Sequence, residues 1–327
     1  LILDGVDITC TVAPAVIFYS VYECDADFVA YDNKETDNYV SSPTVDTSAA
    51  GANVILADGS VNNISGSYVA RIYQEGTTKK LHKYDGAFYS KMSMNVSGGE
   101  AGTGTLEIVA DNEGLDSELH LTINSGNIHI LAGNDGINTN EDGVSVTTIN
   151  GGTLRIEVTG ETGEGDGIDS NGWLVINGGM VIAAACSDSA DSGLDSDNGI
   201  YINGGIVIAS GNMYDAVDGG DQTYAVFQFA QKQSGGQTYT LKNAAGETVL
   251  EMTPENAFQY LVVSAPGLAE GEYTLWCGDT QLGASTGSVG GPSGAMDGGN
   301  SADAAECSDT FTLQSGANQF TNVGALT

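Results

Sequence analysis

The chain has almost no basic charge: 9 Lys and Arg stand against 43 Asp and Glu, giving a formal net charge of −34. Such a field repels phosphate backbones and anionic lipid headgroups, so nucleic acid and membrane surfaces are excluded as partners. No apolar run approaches the roughly 20 residues that a membrane span needs, which excludes membrane insertion. Cysteine is scarce as well, 5 in 327 residues, too few for a disulfide framework in a chain of this length. Cys10 ends an alternating apolar run and is read as a core thiol. Cys277 and Cys307 flank a Gly/Ser-rich stretch and either bridge or stay free, while Cys24 and Cys186 carry no assignment. Helical periodicity is missing between the repeats described next. Successive repeats must therefore stack strand on strand.

What the chain has in quantity is glycine, 46 residues, much of it in a repeat. From Asp111 to Asp221 an Ile-Asn-Gly-Gly pattern recurs, followed by a hydrophobic alternation and an acidic Gly-Ile-Asp turn. Its Asn falls at Asn124, Asn150, Asn177 and Asn203, spacings of 26, 27 and 26 residues. A fixed period of that size marks a solenoid. Inside each repeat the alternation has period two, as in Ile128/Ile130 and Leu154/Ile156, so the elements are strands. A second strand runs through Leu121/Ile123, Leu174/Ile176 and Ile200/Ile202, and a third through Leu115, Ile137, Ile168, Leu194 and Val217.

Three short strands per coil predict an all-β fold, a parallel β-helix whose coils stack at about 4.8 Å with these residues as inward columns. Asn tolerates left-handed geometry and the two following glycines lack side-chain hindrance, which suits a sharp corner. The Asn column is expected in stacked turns. The β-helix is expected over 1–221, with irregular opening coils over 1–84 and regular repeats over 85–221. In the opening coils, 6–10, 15–19 and 54–57 read as strands and 32–51 as a polar excursion. After residue 221 the pattern changes to strands near 224–229, 237–241, 249–252, 260–263 and 273–276. A Gly-rich loop over 278–306 follows, then strands near 310–314 and 319–323. This 222–327 segment is expected to cap the open end of the solenoid, whose edge would otherwise aggregate.

The acidic turn carries the strongest chemical signal. Between Asp111 and Asp221 there are 19 carboxylates and one basic residue, Arg155, so some counter-charge must sit there. Asp116, Asn138, Asp169, Asp195 and Asp218 are predicted to form one outward column, flanked by Asp135, Asp166, Asp191, Asp197 and Asp215. Like charges at the coil spacing repel unless neutralised. Calcium suits them, because it takes about six to eight oxygen ligands and Asp, Asn and Ser offer oxygen. The plainer reading is a solvated acidic face. The spacing around Asp195 excludes an EF-hand, and the repeat length excludes a nine-residue calcium β-roll.

Arg155 and Lys91 are the two candidates for a catalytic base beside such a column. Their plain reading is structural, for Arg155 an ion pair with Glu107 or Glu157. Trp173 and Tyr201 stand between inward residues and are expected to face outward, where flat rings stack on sugars, unless the C-terminal strands cover them together with Ile182 and Ile208. His82, His120 and His129 lack metal-ligand spacing and are read as surface residues.

Asp85-Gly-Ala-Phe-Tyr-Ser-Lys91, the repeated Ile-Asn-Gly-Gly and Asp-Gly-Ile-Asp-Ser, and the 253–264 run Thr-Pro-Glu-Asn-Ala-Phe-Gln-Tyr-Leu-Val-Val-Ser occur together. With them the chain resembles bacterial cell-surface, calcium-binding β-helix proteins that bind cellulose and acidic plant polysaccharides and look like polysaccharide lyases. The resemblance implies a right-handed helix, bound calcium and carbohydrate binding without established catalysis. The expected function is thus an extracellular, monomeric calcium-binding protein for acidic polysaccharide such as polygalacturonate, with cellulose as a second ligand. The alternatives are a calcium-dependent lyase acting by β-elimination and a structural surface adhesin. Because the chain opens inside a strand-like run, it is read as processed and exported.

Overall fold

The computed structural model describes residues 1–23, 44–69, 73–78, 84–290 and 307–326. Cys24, His82 and most of the 32–51 and 278–306 segments lie outside the described residues. Among those described, every regular element is a strand and none is a helix.

The strands form three sheets, and through the repeat region the chain visits them in rotation. The first sheet contains Met94–Ser97, Leu121–Ile123, Val146–Ile149, Trp173–Ile176 and Gly199–Ile202. The second contains Thr105–Ala110, Asn127–Ala132, Thr153–Val158, Met180–Ala184 and Ile206–Gly211. The third contains Gly86–Ser90, Glu113–Ser117, Ile137–Thr139 and Ile168–Ser170. Within these sets each strand pairs in parallel with its counterpart one repeat away. Equal repeat lengths keep equivalent residues in register, and register turns a sequence period into columns. Leu106, Ile128, Leu154, Val181 and Val207 form one column. Ile123, Ile149, Ile176 and Ile202 form another, and Leu115, Ile137 and Ile168 a third, extended by a bridge to Leu194. All are buried in one apolar cluster. Burial of each such side chain favours the fold by about 1.5–3 kcal/mol.

The Asn-Gly-Gly corners show why two glycines are needed. The second has positive φ in each copy: +85° at Gly152, +81° at Gly179 and +88° at Gly205. A Cβ on the first would meet the carbonyl oxygen of the Asn one coil away, at 2.8 Å for Gly178 and 2.5 Å for Gly204. Among the described residues the one non-glycine with positive φ is Asn322. The corner Asn is therefore not there for left-handed backbone, contrary to expectation. Its role is in its side chain, as shown below.

After residue 221 the pairing turns largely antiparallel. Phe258–Ser264 pairs antiparallel with Ile206–Gly211 and so continues the second sheet, followed by the remaining C-terminal strands. A second cluster built on Phe227, Phe229, Tyr239, Phe258 and Phe320 packs over Ile208, Ile182 and Ile206, so these outward isoleucines are covered by C-terminal strands. Two strands escaped the sequence reading, Val61–Gly66 and, at the start of the Gly-rich stretch, Thr280–Thr286. The latter reads as Gly/Ser/Ala-rich, yet Leu282 and Ala284 bury in the second cluster. Cys277 and Cys307 are free thiols, and Cys10 is half-buried.

One column was misassigned. Val217–Gly219 does not stack on Leu194. It lies in the first sheet beside Gly199–Ile202, with Val217 opposite Ile200. The last repeat is shortened, so the chain returns to the first sheet without forming a strand in the third.

Candidate functional site: an acidic column and an amide ladder

Two side-chain columns run along the stack. On the third sheet, register aligns Tyr89, Asp116, Asn138 and Asp169, and Asp195 follows, its N–H donating to Ile168 O at 2.8 Å. Asp218 is not part of it. It belongs to the first sheet, where its Oδ2 accepts from Ile200 N–H at 3.0 Å. Tyr89 heads the column and was missed, although Asp85-Gly-Ala-Phe-Tyr89 is a copy of the acidic turn with one residue more.

Beside the column runs a second row of acids. Asp135 Oδ1 accepts the Asp166 N–H at 2.7 Å, Asp166 Oδ1 accepts the Ser192 N–H at 2.6 Å, and Asp191 Oδ2 accepts the Gly165 N–H at 2.6 Å. Asp215 Oδ2 accepts from Ser196 N–H at 3.1 Å. Each carboxylate thus ties one oxygen to the backbone of a neighbouring rung, Asp135 and Asp166 to the one after and Asp191 and Asp215 to the one before. Asn134, Asp135, Glu164, Asp166 and Asp191 surround a hollow of about 200 Å³.

These acids are not the solvated outward face expected from alternation. Asp116 is fully buried, Asp135 and Asn138 are buried, Asp166, Asp169 and Asp195 are half-buried, and Asp197 alone of the third-sheet set is exposed. Burial first, and neighbouring carboxylates second, push Asp166 up to about 10, with Asp135 and Asp195 the neighbours. The same causes put Asp169 at about 9 and Asp195 at about 6. Burial also lifts Asp135 and Asp215 to about 7 and Asp116 well above the carboxylate range. Stacking has brought Asp135, Asp166, Asp169 and Asp195 together, and among the described residues none of the four has a cationic partner. Among the described residues, no three Asp, Glu, His or Cys side chains converge as a ready cage for a metal ion.

On the first sheet, the corner asparagines make the second column. Asn150 Nδ2 donates to Asn124 Oδ1 at 3.0 Å, Asn177 to Asn150 at 2.9 Å and Asn203 to Asn177 at 2.9 Å. Next to this ladder, Thr122, Thr148, Val175 and Tyr201 occupy successive rungs of the outer face. Thr122 and Thr148 were missed as candidates, although alternation with inward Ile123 and Ile149 marks them as outward and uncharged.

The remaining candidates fall elsewhere. Trp173 points away from the central core but is fully buried, packed with Val146, Val175, Val45 and Tyr201. It is therefore no stacking platform, and its cover is the 44–48 segment rather than the C-terminal strands. Tyr201 is half-buried in the same cluster. Arg155 aligns with His129 and Ile182 on the second sheet and pairs with Glu255, not with Glu107 or Glu157. The 253–257 turn reaches that sheet, and Asn256 Nδ2 donates to Val158 O at 2.7 Å and Ala185 O at 2.8 Å. Lys91 is exposed with its Nζ 5.0 Å from the Tyr19 ring centroid. His129 Nδ1 lies 2.9 Å from Glu107 Oε2. His120, expected at the surface, is buried: its Nδ1 accepts from Val146 N–H at 3.1 Å, and burial lowers its pKa to about 4.

A family model described as carbohydrate-binding domain-containing protein matches residues 32–249, which takes in the ladder and the whole acidic column. The chain belongs to that family. No curated protein and no solved structure gives a match. Family membership supports carbohydrate binding, with a polysaccharide as the partner.

Proposed function

We propose that the protein is an extracellular, right-handed parallel β-helix that binds calcium along the acidic column and, through it, acidic polysaccharide of the polygalacturonate type, without catalysing its cleavage. Three sheets visited in rotation with parallel pairing describe one helical path, and strand crossovers between parallel neighbours are right-handed in about 98% of cases. The antiparallel C-terminal strands cap the last coil by pairing with Ile206–Gly211.

The observation that carries the calcium reading is the carboxylate set itself. Asp166 and Asp169, raised to about 10 and 9, hold protons or a cation at neutral pH, and Asp135, raised to about 7, lies beside them. The donor set fits calcium. Every group is an oxygen, and Asn138 Oδ1 is a buried acceptor with no hydrogen-bond partner among the described residues. Asp135, Asn138, Asp166, Asp169, Asp191 and Asp195 are the residues that would hold the ion, with backbone carbonyls completing its shell. When bound, calcium supplies positive charge and coordination sites for a sugar carboxylate, which a chain of charge −34 cannot otherwise attract.

The non-catalytic reading rests on the bases. Arg155 is paired with Glu255 on the second sheet, whereas the column is on the third. Lys91 stacks at Tyr19, outside the densest part of the column. The test is chromatography on immobilised polygalacturonate. Retention in millimolar calcium, release by EDTA and no unsaturated product in the eluate are expected. Retention indifferent to EDTA sinks the calcium bridge, and an unsaturated product that disappears in Arg155→Ala or Lys91→Ala makes the protein a lyase.

A further inference from the structure

The Asn ladder forms one wall of a groove of about 240 Å³ on the outer face of the first sheet. Its floor carries Thr122 and Thr148 on successive rungs, and its other wall is the 44–48 segment. At one end this segment already fills it. Thr47 Oγ1 lies 2.7 Å from both Asn95 Oδ1 and Thr122 Oγ1, and Asn95 Nδ2 donates to Thr47 O at 2.5 Å. The floor thus holds a polar chain by hydroxyl and amide contacts. The half-buried Thr148, one rung on, is where the groove continues past that segment.

The ladder presents the same chemistry at every rung. An amide has two N–H donors and an oxygen with two lone pairs. Asn150 and Asn177 each commit one N–H and one lone pair to their ladder neighbours, which leaves one donor and one acceptor per residue. The ladder also fixes which end of each amide is oxygen, so these groups repeat in constant orientation at the strand spacing of about 4.8 Å. Such groups are ordered before a ligand arrives, which lowers the entropy lost on binding. A sugar hydroxyl both donates and accepts, so a chain of linked sugars laid along the ladder finds a complementary pair at each rung. The charge selects the kind of sugar. Among the described residues no Lys or Arg lines the groove and the one ionisable lining residue is Asp46, so a uronate is repelled and a neutral sugar is not.

We propose that this groove is a second saccharide site, for an uncharged, unbranched polysaccharide bound without calcium. The proposal rests on the carbohydrate-binding reading of the family but not on calcium or the acidic column. Affinity electrophoresis in EDTA, in native gels containing xylan, glucomannan or mixed-linkage β-glucan, tests it. Retardation by at least one of the three is expected. Asn150→Ala and Asn177→Ala should weaken it about tenfold, the loss of one to two hydrogen bonds. Thr148→Val, which keeps the side-chain shape and should leave the melting temperature unchanged, should weaken it severalfold. None of these variants should alter calcium-dependent retention on polygalacturonate, so the two sites fail or survive separately. Migration unaffected by all three polymers, or equal retardation of Thr148→Val and wild type, overturns the proposal.

Discussion

The asparagine ladder and the aspartate column are built on the same stacking, yet one is self-sufficient and the other is not. Stacked amides satisfy each other, because each carries both donors and acceptors, and Asn124 to Asn203 link in an unbroken chain. Stacked carboxylates carry acceptors only. Asp135 and Asp166 can use backbone N–H groups of the next rung, but not one another, and burial limits the water that reaches them. The ladder therefore stays neutral and open to solvent, while the column must take up protons or a cation. The kind of group, not its position in the fold, decides which column needs a partner.

The largest effect expected from this difference is on pH dependence. Asp166 and Asp169 bind protons more tightly in the fold, at about 10 and 9, than at their ordinary 3.8. Without metal, their contribution to stability is therefore complete below about pH 4 and is lost progressively as pH rises toward 9–10. Melting in EDTA should fall by about 5 °C or more between pH 5 and pH 8, and calcium should restore it at pH 8 with little effect at pH 5. Equal EDTA and calcium curves at pH 8 would remove the cation from the account. The next effect is Asp166→Asn, which keeps an acceptor for Ser192 N–H while removing the charge. In EDTA at pH 8 it should stabilise the protein by about 1–3 kcal/mol and shrink the calcium-induced shift, both read from thermal melts.

The reverse exchange sharpens the comparison from the other side. Asn177→Asp puts a carboxylate into the ladder, loses the bond to Asn150 Oδ1 and sets two acceptors against each other. It should cost about 1 kcal/mol at pH 7 and largely recover at pH 4, measured by denaturant unfolding. Smallest is Arg155→Ala, which removes a partly exposed ion pair with Glu255. It should change stability by less than about 1 kcal/mol and leave polygalacturonate retention unchanged.

Much of the architecture is legible in the sequence because register is a local property. Equal repeats with period two fix which residues stack, and so the core columns through Ile123, Leu154 and Ile168 could be read directly. What alternation cannot reveal is what lies over an outward residue. Trp173 does point away from the central core, but Val45, distant in sequence, covers it. Asp116 and Asn138 are outward in the same sense and buried nonetheless. Chain length decided another case: the shortened last repeat moved Val217 and Asp218 to the first sheet, whereas the sequence pattern grouped them with the third-strand columns through Leu194 and Asp195. Contacts set by the C-terminal turn, such as Arg155 with Glu255, depend on how two distant segments dock. The ladder was visible as a column of Asn, but its meaning lay in side-chain donors rather than in backbone geometry.

Calcium binding itself is the most direct test of the central claim. Metal-stripped protein should be titrated with calcium at pH 8 in a calorimeter, alongside a variant carrying both Asp166→Asn and Asp169→Asn. Saturable binding to the wild type that is weakened or lost in the variant is predicted. No uptake by the wild type, or the same uptake by both, would contradict a cation-binding column.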